Sequence, residues 1–319
     1  MEYSRSGRIK KKAAEIGFSS IGIARAEIIH DEEKHMREWL DRGFQASMQW
    51  MERDAGKRSD VATVLPQAKS VICVALNYYA PVPHTHSPAV GKISRYAWGD
   101  DYHEVMRDRL ELLSEFLMSE IPGAATKYYV DTGPVMDKAW AVRAGIGWLG
   151  KHSNVITRKF GSWVFLGEIL IDVELEYDNP ALDLCGSCTA CLDACPTQAI
   201  VQPYVVDSNK CISYLTIEHR GDLPKERVTK FENWIYGCDI CQDVCPWNRF
   251  QKETDEPAFH PREENRAPEL TELAGMSQEE FSRRFKNSPI KRTKHSGLTR
   301  NAKAIIESFP DKTHLMKKK

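Results

Sequence analysis

The sequence predicts an α/β domain, then a small two-cluster, ferredoxin-like domain, then a short helical C-terminal segment. Three observations carry this. Helical and strand-like patterns alternate up to about residue 176, eight of the nine cysteines fall between Cys185 and Cys245, and helical segments run on beyond a polar, proline-bearing stretch after Phe250.

In the first part, the patterns predict a helix near 7–17, a strand at SIGIA (20–24), a helix near 31–42 and a strand at SVICVAL (70–76). The run YHEVMRDRLELLSEFLMSEI places Val105, Met106, Leu110, Leu113, Phe116, Leu117 and Ile121 at helical spacing. A strand at TKYYV, a helix at VMDKAWAVRA and a long strand at SWVFLGEILIDVEL complete an α/β sandwich. EYDNPALDL reads as a linker and QKETDEPAFHPREENRAPEL as a second connector, giving domains 1–176, 177–250 and 251–319.

With 319 residues, 42% of them hydrophobic and 28% charged, the chain is long enough to bury a sizeable core. A net charge of -1 excludes a global field for polyanions, so any nucleic-acid contact is regional. No run approaches the roughly 20 apolar residues of a membrane span, and the N-terminus lacks a secretory pattern. The expected location is the cytoplasm, without membrane contact and as a monomer. In that reducing compartment clustered cysteines point to metal rather than to disulfides.

Cys185, Cys188, Cys191 and Cys195 followed by Pro196 form C-x2-C-x2-C-x3-C-P, in which three thiolates grip one [4Fe-4S] cube and the fourth reaches a second. Cys238, Cys241 and Cys245 followed by Pro246 repeat the last three positions; Ile235 stands where a cysteine is missing, and Cys211 is the spare ligand. By crossover, Cys185, Cys188, Cys191 and Cys245 hold one cluster, and Cys195, Cys211, Cys238 and Cys241 the other. Structural zinc, the alternative, usually takes two C-x2-C knuckles and needs neither a third cysteine nor the Cys-Pro ending. Cys73, inside an apolar strand, reads as core. His84 and His86, flanked by prolines in a polar loop, read as solvated.

Residues 145–152, GIGWLGKH, match the glycine spacing of a dinucleotide fingerprint and nearly match a phosphate loop. Both fail on context, because the glycines follow a helix and precede a strand, the reverse of what either motif requires. The stretch is expected to be a helix-to-strand loop whose small residues let backbone approach a flat or bulky ligand.

KISRYAWGDDYH, YYVDTGPVMDKAWA, GIGWLGKHSN, FGSWVFLGEI, CGSCTACLDACPTQAI, YGCDICQDVCPWN and SPIKRTKHSGLTRNA follow in order from Lys92 to Ala302, within a likeness that runs over about residues 5–305. As a set they resemble the epoxyqueuosine reductases, the last enzymes of queuosine synthesis in tRNA. The resemblance implies an α/β cobalamin-binding domain similar in fold to reductive dehalogenases, fed by the two clusters. The D-x-H-x-x-G signature is absent, since Asp101-Tyr102-His103 continues as Glu104-Val105-Met106, so cobalamin is expected without that lower histidine ligand. The implied reaction removes the epoxide oxygen of epoxyqueuosine at the wobble position with two electrons and two protons, leaving an alkene and water.

By the same resemblance Asp131 is the proton donor, expected as a carboxylic acid kept protonated by apolar surroundings. On the residues alone it reads as a turn or cap position before Thr-Gly-Pro. Asp137, farther along in the following helix, is the competing carboxylate but, with Lys138 beside it, reads as a surface residue. The implied cobalamin contacts are Lys57, Arg58, Ala97, Asp131, the loop from Lys151 through Asn154 to Val155, Ser162, and residues 242–244 (Gln242, Asp243 and Val244) between two cluster ligands.

Eight cations lie between Phe281 and Ile306 (residues 283, 284, 286, 291, 292, 294, 300 and 303) without a single Asp or Glu, a pattern that fits a tRNA surface. The resemblance implies, for many relatives, a longer helical-repeat domain after this region, where the present sequence is expected to offer only a KKK tail. A low-potential electron donor such as flavodoxin or ferredoxin is implied. A reductive dehalogenase is the first alternative, but it is expected to carry a twin-arginine signal and gives the basic segment no role. A plain two-cluster electron-transfer protein is the second, and it predicts no corrin.

Overall fold

A computed structural model of the chain describes residues 4–53 and 55–308. At its centre is a four-stranded sheet in the order Ser20–Arg25, Ser70–Asn77, Val164–Ile171 and Thr126–Tyr129, with every neighbouring pair antiparallel. Pleating sends alternate residues to opposite faces. Ile72, Val74 and Leu76 meet the helices Arg5–Ile16 and Tyr102–Glu120 on one face, whereas Val71, Cys73 and Ala75 meet Trp140 and Ala141 of helix Asp137–Arg143 on the other. Because both faces are covered, strand Ser70–Asn77 is buried at all eight positions, as its near-continuous apolar sequence requires. Each Ile, Leu or Val so buried contributes roughly 1.5–3 kcal/mol.

Local chemistry sets the ends of the long helices. Gly17 terminates the first in the left-handed region at φ 100. Asp101 starts helix Tyr102–Glu120 by accepting from the His103 amide at 3.1 Å, which places Tyr102 and His103 in the first turn, facing the loop that follows strand Thr126–Tyr129.

Two short helices, Ala190–Ala194 and Ile240–Asp243, pack against each other, and each leads into a Cys-Pro. The second half is tied to the first by strand Trp234–Tyr236, which pairs parallel with Lys92–Ile93. One core gathers Ile93 and Trp98, then Phe231, Trp234 and Ile235, then Phe285, Leu298 and Ile305. Ile235, the position of the missing cysteine, is fully buried there. Asn301 of helix Lys294–Glu307 donates to the carbonyls of Thr216 and Ile235 at 2.8 Å each, fastening that helix over the cluster segment.

The expected second connector is packed rather than loose. Thr254 is buried and donates to Asn77 O at 2.6 Å, and Phe259 enters the first sheet core. The lysine tail lies outside the described residues, and among those described no helix is long and apolar enough to cross a membrane.

Candidate active site

A cleft of about 450 Å³ separates the sheet's loops from the cysteine-rich segment. Its walls bring together Tyr96, Tyr102, Asp131 and Asp137 from the first part and Cys195, Cys211, Cys238 and Cys241 from the second. Thiols 46 residues apart in sequence thus open onto the same space as a carboxylate from a distant loop.

Asp131 sits just after strand Thr126–Tyr129, in the left-handed region at φ 57, with the Thr132 amide donating to Val130 O at 2.5 Å across it. Such a tight turn is strained for a residue with a side chain, and strain of this kind clusters at functional positions. Tyr102 Oη donates to its Oδ2 at 2.9 Å, and His103 Nε2 lies 3.5 Å from the same oxygen. The apolar setting expected for this carboxylate is therefore absent. His103 foremost, then Tyr102, holds Asp131 below the ordinary carboxylate range. Burial opposes charge on His103, but Asp101, 2.7 Å from its Nδ1, and Asp131 outweigh that and push its pKa up to about 9. Near neutral pH the proton resides on the imidazole and the carboxylate is ionised.

The remaining cysteines stand apart from the cleft. Cys185, Cys191 and Cys245 pack with Trp148, Ile156 and Trp247, and Cys188 beside them is exposed. Among the described residues no three His, Cys, Asp or Glu side chains are close enough to share one metal ion. A cube has four irons to offer, so its thiolates stand further apart than ligands of a single ion. Burial pushes the thiols of Cys238 and Cys241 well up, a penalty that thiolate-metal bonds remove. Between these two cysteines, Asp239 is fully buried and accepts from Ser94 Oγ, from the Arg95 amide at 2.9 Å and from Arg95 Nη1 at 3.2 Å. His84 completes that network, with Nε2 3.3 Å from Asp239 and its ring edge-on to Trp98 and Trp234. The expectation of a solvated His84 is thus corrected: its side chain is 8% exposed, because two tryptophans and a buried carboxylate enclose it. His86 is exposed.

The other expected contacts divide. Asn154, Val155 and Ser162 line the cleft, and Ser162 Oγ donates to Gln242 Oε1 at 2.9 Å. Of the expected residues 242–244, Gln242 lines the cleft, whereas Asp243 turns away to pair with Arg95 Nη1 at 2.8 Å. Val244 is partly exposed outside the lining. Ala97 is fully buried in the core behind Tyr96. Lys57 is exposed, and Arg58 reaches Gly133 O at 3.4 Å beside the Asp131 turn. Lys151 does not point to the cleft: its ammonium donates to Gly186 O at 2.7 Å and Cys188 O at 2.9 Å, supporting the first cysteine loop.

The glycines of GIGWLGKH have a different cause from the one expected. A Cβ on Gly147 would stand 2.2 Å from Ile156 O, and one on Gly145, at φ 75, would stand 2.6 Å from Asn179 O. They make room for the protein's own chain, which forms the hairpin Trp148–Leu149 with Val155–Ile156. It is the tip of that hairpin that enters the cleft. His152 there is buried, its Nδ1 accepts from the Asn154 amide at 3.2 Å, and its Nε2 has no partner. Burial holds its pKa down at about 4, so the ring is neutral, and with Nδ1 accepting, Nε2 carries the hydrogen.

The basic segment is not uniform. Arg283, Lys286, Lys291, Arg292, Lys294 and Lys303 are exposed, and Arg292 lies over the Trp50 ring at 5.2 Å while pairing with Glu218 at 2.7 Å. Arg300 and Arg284 turn inward instead. Arg300 donates to the carbonyls of Leu215, His219 and Gly221, and Arg284 pairs with Glu272 at 2.8 Å, so neither is free to meet a phosphate.

Sequence reasoning missed Tyr102 and His103 as partners of Asp131, although Asp-Tyr-His at a helix start was the available signal. It also misplaced Asp137, which lines the cleft with Glu168 of the central sheet buried behind it, because helix Asp137–Arg143 packs Trp140 and Ala141 on that face.

Two family models match the chain: Epoxyqueuosine reductase QueG, DUF1730, over residues 58–132, and the 4Fe-4S double cluster binding domain over residues 184–248. An epoxyqueuosine reductase of Cellulophaga algicola is 47% identical over 301 residues, covering 93% of this chain and 96% of that protein. One from Synechocystis sp. is 48% identical over 291 residues, covering 90% and 100%. Among solved structures, an epoxyqueuosine reductase with a tRNA-Tyr epoxyqueuosine-modified tRNA stem loop is 36% identical with a TM-score of 0.90, over 97% of this chain and 83% of that one. The enzyme from Streptococcus thermophilus is 30% identical with a TM-score of 0.86, over 98% and 84%. With near-complete coverage at close to half identity, this chain belongs to the epoxyqueuosine reductase family of oxidoreductases.

Proposed function

We propose that this protein reduces epoxyqueuosine to queuosine at the wobble position of tRNA, in the cytoplasm, as a monomer supplied by a low-potential donor of the flavodoxin or ferredoxin type. The observation that carries the reading is the single cleft on which Asp131 and four cysteine thiols converge. In it, the part up to residue 176 forms the cofactor domain, 177–250 carry the clusters, and the described residues from 251 onward face the tRNA.

The ligand sets are Cys185, Cys188, Cys191 and Cys245 for the outer cluster, and Cys195, Cys211, Cys238 and Cys241 for the one at the cleft. Eight soft thiolates with C-x2-C-x2-C spacing suit iron-sulfur cubes. A cobalamin fits the remaining donor set: His152 Nε2–H is an unpaired buried donor suited to a side-chain amide of the corrin, with Asn154, Val155 and Ser162 beside it. Lys57, Arg58 and Asp131 would approach from the opposite loops. When bound, such a group would supply low-potential cobalt chemistry, and the two clusters would supply one-electron chemistry beside it.

The chain's own residues handle the proton. Tyr102 fixes the Asp131 carboxylate, and Asp101 orients His103 so that Nε2 faces it. As charge develops on the departing epoxide oxygen, the proton carried by His103 passes through the Asp131 carboxyl to that oxygen; an alkoxide would leave poorly without it. The exposed cations from Arg283 to Lys303 neutralise phosphates of the stem.

The test is anaerobic incubation of reconstituted protein with an epoxyqueuosine stem loop and a low-potential reductant, followed by nucleoside mass analysis. Loss of one oxygen from the modified base is expected, and unchanged epoxyqueuosine in the presence of both clusters and corrin would remove the proposal.

A further inference from the structure

Glu168 occupies the middle of strand Val164–Ile171, opposite Cys73 on one neighbouring strand and Tyr129 on the other, and is fully buried. A carboxylate in the centre of a sheet core is costly unless it is paired or neutralised. Neither Glu168 oxygen has a hydrogen-bond partner, nor does Oδ1 of Asp137, although the two carboxyls face each other within hydrogen-bond reach. Ionised carboxylates only accept, so two of them cannot satisfy one another, but a single proton between them satisfies both.

The groups around the pair point the same way. Asp131 is the acidic neighbour of both carboxyls, Lys138 and Arg58 are the nearby cations, and Cys73 is a buried neutral thiol. Lys138 is engaged elsewhere, donating to Ser153 O at 2.7 Å and Asn154 Oδ1 at 3.1 Å, while Arg58 reaches Gly133 O. Burial first, then the partner's charge, raises Glu168 well above the usual range, and burial pushes Asp137 up to about 6. Asp137 lines the cleft and Glu168 lies behind it, so the pair opens to the reacting space at one end only.

We propose that Asp137 and Glu168 form a shared-proton acid pair that supplies the second proton of the reduction to the Asp131 end of the cleft. This rests on the proposed reaction. Removing an epoxide oxygen breaks two C–O bonds, forms one C=C bond and releases water, so two electrons and two protons enter per turnover. The low-potential donor supplies the electrons. The His103–Asp131 unit supplies one proton; the other leaves Asp137 as the oxygen departs as water, and the pair regains a proton from solvent through the open cleft. Glu168 acts through Asp137 and is a positioning residue.

Infrared spectroscopy of the wild-type protein near pH 7 is expected to show a protonated-carboxyl C=O band that Glu168→Gln lacks, because the glutamine amide can donate to Asp137 and leave it ionised. Single-turnover rates of chemically reduced holoenzyme with the epoxyqueuosine stem loop should fall at alkaline pH. In Glu168→Gln that limb should move down by at least about one unit, a roughly tenfold lower rate above it, with iron content unchanged. Asp137→Asn, which removes the donating carboxyl, should lower the rate roughly tenfold across the pH range, and it serves as the second variant if Glu168→Gln folds poorly. Absence of the wild-type band, an alkaline limb unmoved in Glu168→Gln, or wild-type rates in Asp137→Asn would overturn the pair's role. Failure of wild-type protein to convert the stem loop would instead overturn the proposed reaction and leave the infrared result standing.

Discussion

His103 bridges two acids: its Nδ1 lies 2.7 Å from Asp101 and its Nε2 3.5 Å from Asp131. Its folded pKa of about 9 lies above the ordinary histidine value. The stability it contributes is therefore full below about pH 6.5 and is lost as pH rises towards about 9. Denaturant unfolding of wild type and His103→Gln is expected to differ by about 1 kcal/mol at mildly acidic pH, the two curves converging at alkaline pH. A difference independent of pH would mean that imidazolium charge is not what matters there.

Asp131→Asn keeps the turn and the Tyr102 contact but removes the carboxyl through which the proton passes. Turnover should fall by about 10²–10⁴-fold with iron content and corrin binding retained. Wild-type rates would dismiss the assignment.

The two cysteine groups make separable predictions. Cys245→Ala should lose the outer cluster and Cys195→Ala the one at the cleft, each leaving about half of the iron. Iron analysis and electron paramagnetic resonance of the reduced proteins would distinguish the sites. Retention of both clusters in either variant would contradict the crossover.

The inward and outward cations should behave differently. Lys291→Ala should leave stability unchanged and reduce the slope of log K against log salt for stem-loop binding by about one. Arg300→Ala strips the partner from carbonyls of Leu215, His219 and Gly221 and should cost about 1–3 kcal/mol of stability. Equal effects of the two on both measurements would refute the division.

Periodicity read the sheet strands and long helices well, because residues such as Ile72 and Val71 alternate between two covered faces and Leu110 and Leu113 repeat along one helix. Cysteine spacing was legible for the same reason: a cube dictates local geometry. What escaped were relationships across long sequence distances. Asp239 and His84, 155 residues apart, meet only because the cluster segment pairs with strand Lys92–Ile93. The glycines of residues 145–150 looked like ligand contacts, yet Gly147 answers to Ile156 O. Nothing local marks Glu168 as the partner of Asp137, since a glutamate within an apolar strand reads equally well as an edge or bulge position.

The central claim is that the cleft couples cobalt and iron-sulfur chemistry to epoxide removal. Nucleoside mass analysis of an epoxyqueuosine stem loop, after anaerobic incubation with cluster-loaded protein in the presence or absence of cobalamin, tests it most directly. Conversion to queuosine only with cobalamin and a low-potential reductant is the predicted result. Full conversion by protein shown spectroscopically to be corrin-free would contradict it.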